Sequence, residues 1–138
     1  MSIQKVNHSV WRAIDDQALD ATGGTAPSKT SEWFDVSGWT DKRISYVVTG
    51  ASTDFDIAMH ISPYGYYELN ELVAAGTDST QYYEAVTIVT AHGAQIMASK
   101  DAEDVDELQR PIRSMRIYID NDSAVAIDPA YVWIEGWS

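Results

Sequence analysis

The sequence predicts an all-β fold: an antiparallel two-sheet β-sandwich, jelly-roll or immunoglobulin-like. Three observations carry this expectation. Apolar residues recur with period two from Trp33 onward, turn chemistry interrupts the chain at short intervals, and no segment holds a long helical period. Side chains alternate across a strand, so a period of two leaves one face for a core and one for solvent.

The elements follow in order. Residues 1–31 read as an N-terminal arm and loop preceding a sandwich domain over 32–138. Residues 1–20 form an arm or an irregular first strand, with Val10, Trp11 and Ile14 as apolar anchors. Gly23, Gly24, Pro27 and the hydroxyl residues around them make a loop. Ile44, Tyr46 and Val48 then alternate with Arg43, Ser45, Val47 and Thr49. Phe55, Ile57, Met59 and Ile61 alternate with Asp54, Asp56, Ala58 and His60, the clearest half-buried strand of the chain. Residues 50–53 between these runs predict a hairpin turn. Pro63 and Gly65 break the pattern, which places Tyr64, Tyr66 and Tyr67 on a loop or a strand start.

Residues 82–90 are rich in β-branched and aromatic side chains and predict a strand. Residues 95–99 predict a short one. Residues 101–109 are acidic, with Val105 and Leu108 at helical spacing, and read as a long loop with one helical turn that Pro111 ends. Met115, Ile117 and Ile119 mark the next strand, 120–123 a turn, and 130–137 the closing strand. Trp33 and Trp133 lie inside alternating runs and are assigned to the core.

Charge narrows the partners. The 138 residues include 9 Lys and Arg against 21 Asp and Glu, a net charge of -12. Phosphate binding depends on Lys and Arg, so nucleic acid is excluded as a partner, and anionic membrane surfaces are disfavoured. Arg110, Arg113 and Arg116 are the densest basic group, and the acidic 101–107 segment offsets them. The first fourteen residues lack the apolar run of a secretory signal, and no run approaches the length of a membrane span. Folding in a host cytoplasm is the expectation.

Chemistry-bearing patterns are few. With no cysteine, disulfides and thiolate metal sites are excluded. His8, His60 and His92 are too widely spaced for a zinc motif. Asp120 and Asp122 begin like a calcium loop, but Val125 and Tyr131 stand where an EF-hand needs Gly and Glu, so the turn reading is preferred. A G-x-S-x-G elbow, a P-loop and a G-x-G-x-x-G turn are all missing from the sequence. The expectation is a non-enzymatic chain without a cofactor.

Aromatics are in excess, with 5 Trp, 8 Tyr and 2 Phe. One small core cannot hide all of them, so some should mark an interaction surface. Tyr64, Tyr66 and Tyr67 are the first interface candidates; filling the core is their other reading. Val10, Trp11 and Ile14 of the arm are the second. The chain is expected to self-associate, as a trimer, or to dock on a larger assembly.

Several segments carry a family resemblance. They are Trp33-Phe34-Asp35-Val36-Ser37-Gly38-Trp39, Arg43-Ile44-Ser45-Tyr46-Val47-Val48-Thr49-Gly50-Ala51, Asp56-Ile57-Ala58-Met59-His60-Ile61-Ser62, the run from Ile112 through Arg116 to Asn121, and Val132-Trp133-Ile134-Glu135-Gly136. Over roughly residues 33–137 the chain resembles small β-sandwich proteins of tailed-bacteriophage virions. The resemblance implies a virion structural protein, of the capsid decoration or cement type, that binds the major capsid protein. The tyrosine-rich 64–67 and acidic 101–107 segments depart from that pattern. Carbohydrate-binding modules share such strands, so a carbohydrate-binding module or a receptor-binding tail domain is the alternative.

Overall fold

The computed structural model describes residues 8–49, 54–92, 97–101 and 103–138. Among the described residues nine strands build two antiparallel sheets: β1 (His8–Leu19), β2 (Ser28–Thr30), β3 (Phe34–Asp35), β4 (Asp41–Val48), β5 (Asp54–Ser62), β6 (Glu84–His92), β7 (Met97–Lys100), β8 (Ser114–Asn121) and β9 (Ile127–Trp137). One helix, α1 (Tyr66–Ala74), follows β5, and a 3-10 turn covers Asp106–Gln109. The first sheet runs β1-β9-β4-β7 and the second β2-β8-β5-β6, with β3 also on β8.

β2 and β3 pair in succession along one side of β8, so they act as a single interrupted edge strand. Between them Ser31 donates its amide to the Ile117 carbonyl, and its hydroxyl accepts the Ile117 amide. Counted that way, eight strands fall four to a sheet in jelly-roll order, with β5 and β6 the one consecutive pair that stays in the same sheet. The fold is therefore an all-β sandwich, and of the two topologies expected the jelly roll is the one present.

The core lies between the sheets and follows the period-two pattern. Phe55, Ile57, Met59 and Ile61 of β5 meet Ile44, Tyr46 and Val48 of β4, Ile117 and Ile119 of β8, and Val132 and Ile134 of β9. One flank is closed by a chain of rings from β1 to the segment after β3. Trp11 stacks on Phe34 at 4.4 Å, and Phe34 packs on Trp39 at 5.7 Å. Trp39 lies against the backbone of Gly136, where a Cβ would come within 2.0 Å of the indole.

Several expectations are corrected. The hairpin expected at 50–53 does not exist as such, because β4 and β5 belong to different sheets; the turn residues themselves lie outside the described residues. Alternation reports which face a residue takes, and carries no information on which strand is its neighbour. Of the arm and irregular-strand readings of 1–20, the strand is what residues 8–19 form. β1 pairs with β9 through three register shifts, Asp16 has φ 49°, and Ile14 and Leu19 are buried. Residues 1–7 lie outside the described residues. Trp133 is not in the core: it points outward from β9 while Val132 and Ile134 point inward. Trp33 is buried, yet it covers the outer face of the second sheet beside His60 and Tyr83.

The tyrosine segment is corrected in part: Tyr64 stays in the connection after β5, while Tyr66 and Tyr67 open a helix. Residues 66–74 bury Leu69 and are followed by Gly76 at φ 71°. The Gly76 amide donates to the Val73 carbonyl and the Thr77 amide to the Leu72 carbonyl, which is a Schellman stop. The Asn70 side chain fixes the helix to Trp33, accepting its amide at 3.1 Å and donating to its carbonyl at 3.3 Å.

Candidate functional site

The strand ends of the second sheet converge on a groove. β5 ends at Ser62 and runs through Pro63 into Tyr64. The segment before β6 brings Tyr82 and Tyr83, and the segment before β8 brings Arg110 to Arg113. Together they line a hollow of about 680 Å³. A second hollow of about 170 Å³ adjoins it, lined by Tyr66, Tyr67 and Glu68 and sharing Ser37 and Arg113 with the first. A concavity of this size, with apolar rings and a few polar groups, is the usual form of a binding site.

Its walls are rigid. The Ser62 hydroxyl donates to the Tyr82 carbonyl at 2.6 Å and accepts the Tyr64 amide, and the Ser114 hydroxyl donates to the Tyr64 carbonyl at 2.7 Å. These bonds tie the tyrosine backbone to two strands. The rings stay accessible: Tyr64 is 44% exposed and Tyr67 72%. Tyr64 meets Tyr82 edge-on at 5.7 Å, and Tyr66 stacks on Tyr67 at 4.2 Å. Arg110 pairs with Glu84 at 3.1 Å. Hydrogen bonds from Ser37, with the nearby Arg113 charge, hold the Asp35 carboxyl below its ordinary range.

Two further polar clusters belong to the second sheet. Arg116 is almost fully buried, with its guanidinium 4.6 Å from the Trp33 ring and 4.8 Å from that of Tyr83. It donates to His60 Nδ1 at 2.8 Å and pairs with Asp78 at 2.8 Å. Burial, reinforced by the Arg116 charge, pushes His60 down to about 4, so the imidazole is neutral and accepts that bond. His60 therefore lies on the outward face, as expected, but under cover. Desolvation makes this a structural arrangement, in which a buried cation has a partner on each side.

The second cluster gathers Asp56 of β5 with Asp120 and Asp122, their carboxylate oxygens within 4.8 Å of one another. Hydrogen bonding to Asp122, then desolvation, raises Asp56 to about 6; desolvation, then Asp122, raises Asp120 to about 6. Asp122, accepting from both, is lowered. The turn expected at 120–123 starts later, because Asp120 and Asn121 still belong to β8 and pair with Asp56 and Phe55, and that pairing is what brings Asp56 to Asp120 and Asp122.

The sequence-predicted candidates separate. Tyr64, Tyr66 and Tyr67 come together at the groove. Ile14 is core, Trp11 is half-buried against Phe34, and Val10 is 58% exposed on the outer face of the first sheet. Tyr82, Tyr83, Arg110 and Arg113 escaped notice as site residues. The Tyr82-Tyr83 pair and the Arg-flanked Pro111 were the available signals, but only the topology sets them side by side.

No family model matches this chain, and no curated protein does. Solved structures of similar strand layout include the infectious bursal disease virus VP2 subviral particle, at 13% identity and TM-score 0.49, covering 95% of this chain and 33% of that one. The structure of the Gx strain of the same virus follows at 12% identity and TM-score 0.47, covering 96% and 33%. The chain thus spans about a third of the length of those proteins. At this level the likeness carries no functional argument. No helix among the described residues is long and apolar enough to cross a membrane.

Proposed function

We propose that this chain is a non-enzymatic structural protein of a virion, a capsid decoration or cement protein that docks on the major capsid protein through the tyrosine-lined groove. The exposed Tyr64 and Tyr67 rings, held over two adjoining hollows by strand-anchored backbone, are the observation that carries the docking surface. Tyrosine packs a large rigid surface at small entropic cost and is enriched at the centres of interfaces. The virion assignment is supported by the sequence resemblance to phage sandwich proteins. Jelly rolls serve in capsids and in lectins, which is support by analogy of fold. The test is cosedimentation with cognate capsids stripped of this protein. Tyr64→Ala combined with Tyr67→Ala should weaken binding about tenfold or more while circular dichroism stays unchanged. Full binding by that double variant would remove the groove from the proposal.

One observation favours a second reading. Around the Tyr64, Tyr82 and Tyr83 rings stand Gln81, Glu84 and Arg113, so the groove pairs ring faces with hydrogen-bonding groups, the combination that recognises sugars. In that case the chain is a carbohydrate-binding or receptor-binding virion domain. Calorimetric titration with neutral and acidic oligosaccharides decides: heat that disappears in Tyr82→Ala supports it, and none with the wild type rejects it.

A further inference from the structure

The outer face of the second sheet carries a buried cation that one proton would disturb. His60 on β5 and Arg116 on β8 are cross-strand partners, so their side chains share the face turned away from the core. They are covered by Trp33 and by residues 75–83, the connection from α1 to β6. Two ties of that connection run to this cluster. Asp78 pairs with Arg116 at 2.8 Å, and the Tyr83 ring stacks on His60 at 4.3 Å and 19°. A third is the bond of the Ser62 hydroxyl to the Tyr82 carbonyl. The same connection supplies Gln81, Tyr82 and Tyr83 to the wall of the groove. We propose that His60 and Arg116 form an acid-operated latch, in which protonation of His60 frees residues 75–83 from the sheet and with them one wall of the groove. The latch stands on its own geometry; only its consequence for a bound partner rests on the docking reading.

The bond from Arg116 Nε to His60 Nδ1, 2.8 Å long, exists only while that nitrogen carries no proton. A proton there removes the acceptor and sets a second cation against the first. Arg116 is 3% exposed and His60 8%, so solvent does little to screen the two. Among the described residues Asp78 is the carboxylate that faces the pair, and it already accepts from Arg116. The remaining neighbours of His60 are uncharged: the rings of Trp33, Tyr83 and Tyr118, and Ala85 opposite it on β6. Ring faces do not absorb the new charge, because Arg116 already lies 4.6 Å from Trp33 and 4.8 Å from Tyr83.

Opening relieves this, because it hands the imidazole back to water. Burial and the Arg116 charge hold His60 down to about 4 in the closed state, against 6.5 when free. Between those values each unit of falling pH favours the open state about tenfold. The core residues of β5 and β8 face the other way, so the strands keep their pairing while the cover lifts. This is local opening, of the kind that exposed connections undergo more readily than core strands.

Amide hydrogen exchange of the full chain tests the latch, read by mass spectrometry on peptides covering 75–83 from neutral pH down to about pH 4.5 and corrected for intrinsic rates. Wild-type protection of 75–83 should fall about tenfold per pH unit below 6.5 while that of β5 and β8 holds. His60→Gln, which keeps an acceptor and cannot take the proton, should give a flat profile. Asp78→Asn, at a partly exposed side chain, should lower protection at every pH and keep the slope. A flat wild-type profile overturns the proposal, as does a slope that survives in His60→Gln. So does loss of protection in β5 and β8 in step with 75–83, or Asp78→Asn protected like the wild type. Should circular dichroism show His60→Gln unfolded, the wild-type slope and Asp78→Asn decide alone. Capsid cosedimentation at neutral pH, with the latch closed, tests the docking reading separately.

Discussion

At the scale of single residues the packing is unforgiving at two contrasting positions. Ile57 is fully buried between the sheets, flanked on its strand by Phe55 and Met59. Ile57→Ala should cost about 2–5 kcal/mol, the transfer term plus the cavity left behind. Urea unfolding would measure it, and a loss below about half a kcal/mol would contradict the burial. Gly136 is the converse case. Its missing Cβ is the space that Trp39 fills. Gly136→Ala should destabilise by about 1–3 kcal/mol through overpacking and should alter the tryptophan fluorescence, with Trp39→Ala in the same background recovering part of the loss. Residue-level reading from sequence succeeded where alternation was strict, as at Phe55 to Ile61. It failed at Trp133 and Trp33, since a large apolar residue in a strand reads as core whether or not its face is the inner one. It also overlooked Lys42, which lies on the inward side of β4 and donates to the Trp39 and Arg110 carbonyls.

At the scale of elements, strands were legible and partners were not. β4, β5 and β8 were visible in period two and β6 in its β-branched composition, but β5 beside β8 was not, and that pairing creates the carboxylate cluster. Helix α1 was hidden by its tyrosines, although Glu68, Leu69, Glu71 and Leu72 are good helix formers and Gly76 marks the stop. The cluster makes a prediction about pH. Asp56 and Asp120 are raised from 3.8 to about 6 on folding, so the folded chain binds their protons more tightly. Their stabilisation is full below 3.8 and is lost as pH rises through about 6. Asp122, being lowered, contributes in the opposite direction. His60, lowered from 6.5 to about 4, is stabilising above 6.5 and loses that contribution as pH falls toward 4. Asp120→Asn removes one carboxylate from the cluster and leaves His60 untouched. Its melting temperature should exceed that of the wild type near neutral pH, and the gain should shrink toward nothing at about pH 4. An equal gain at both would show that it does not arise from the titration of the cluster.

At the scale of the whole molecule, the first strand is the element whose role changed most between sequence and structure. As an arm, residues 2–14 would be removable without harm to the sandwich. As β1, their described part supplies the hydrogen-bonding neighbour of β9, the buried Ile14 and the Trp11 ring on Phe34. Deletion of residues 2–14 would leave the Val132–Trp137 part of one β9 edge unpaired and open the flank that Trp11, Phe34 and Trp39 close. Unpaired edges invite association with other chains, and exposed core lowers stability together with solubility. The deletion should therefore melt far below the wild type or aggregate, and it should lose capsid binding only because it does not fold. A 2–14 deletion that melts like the wild type would mean that β1 docks on a finished sandwich and that the core does not need Ile14.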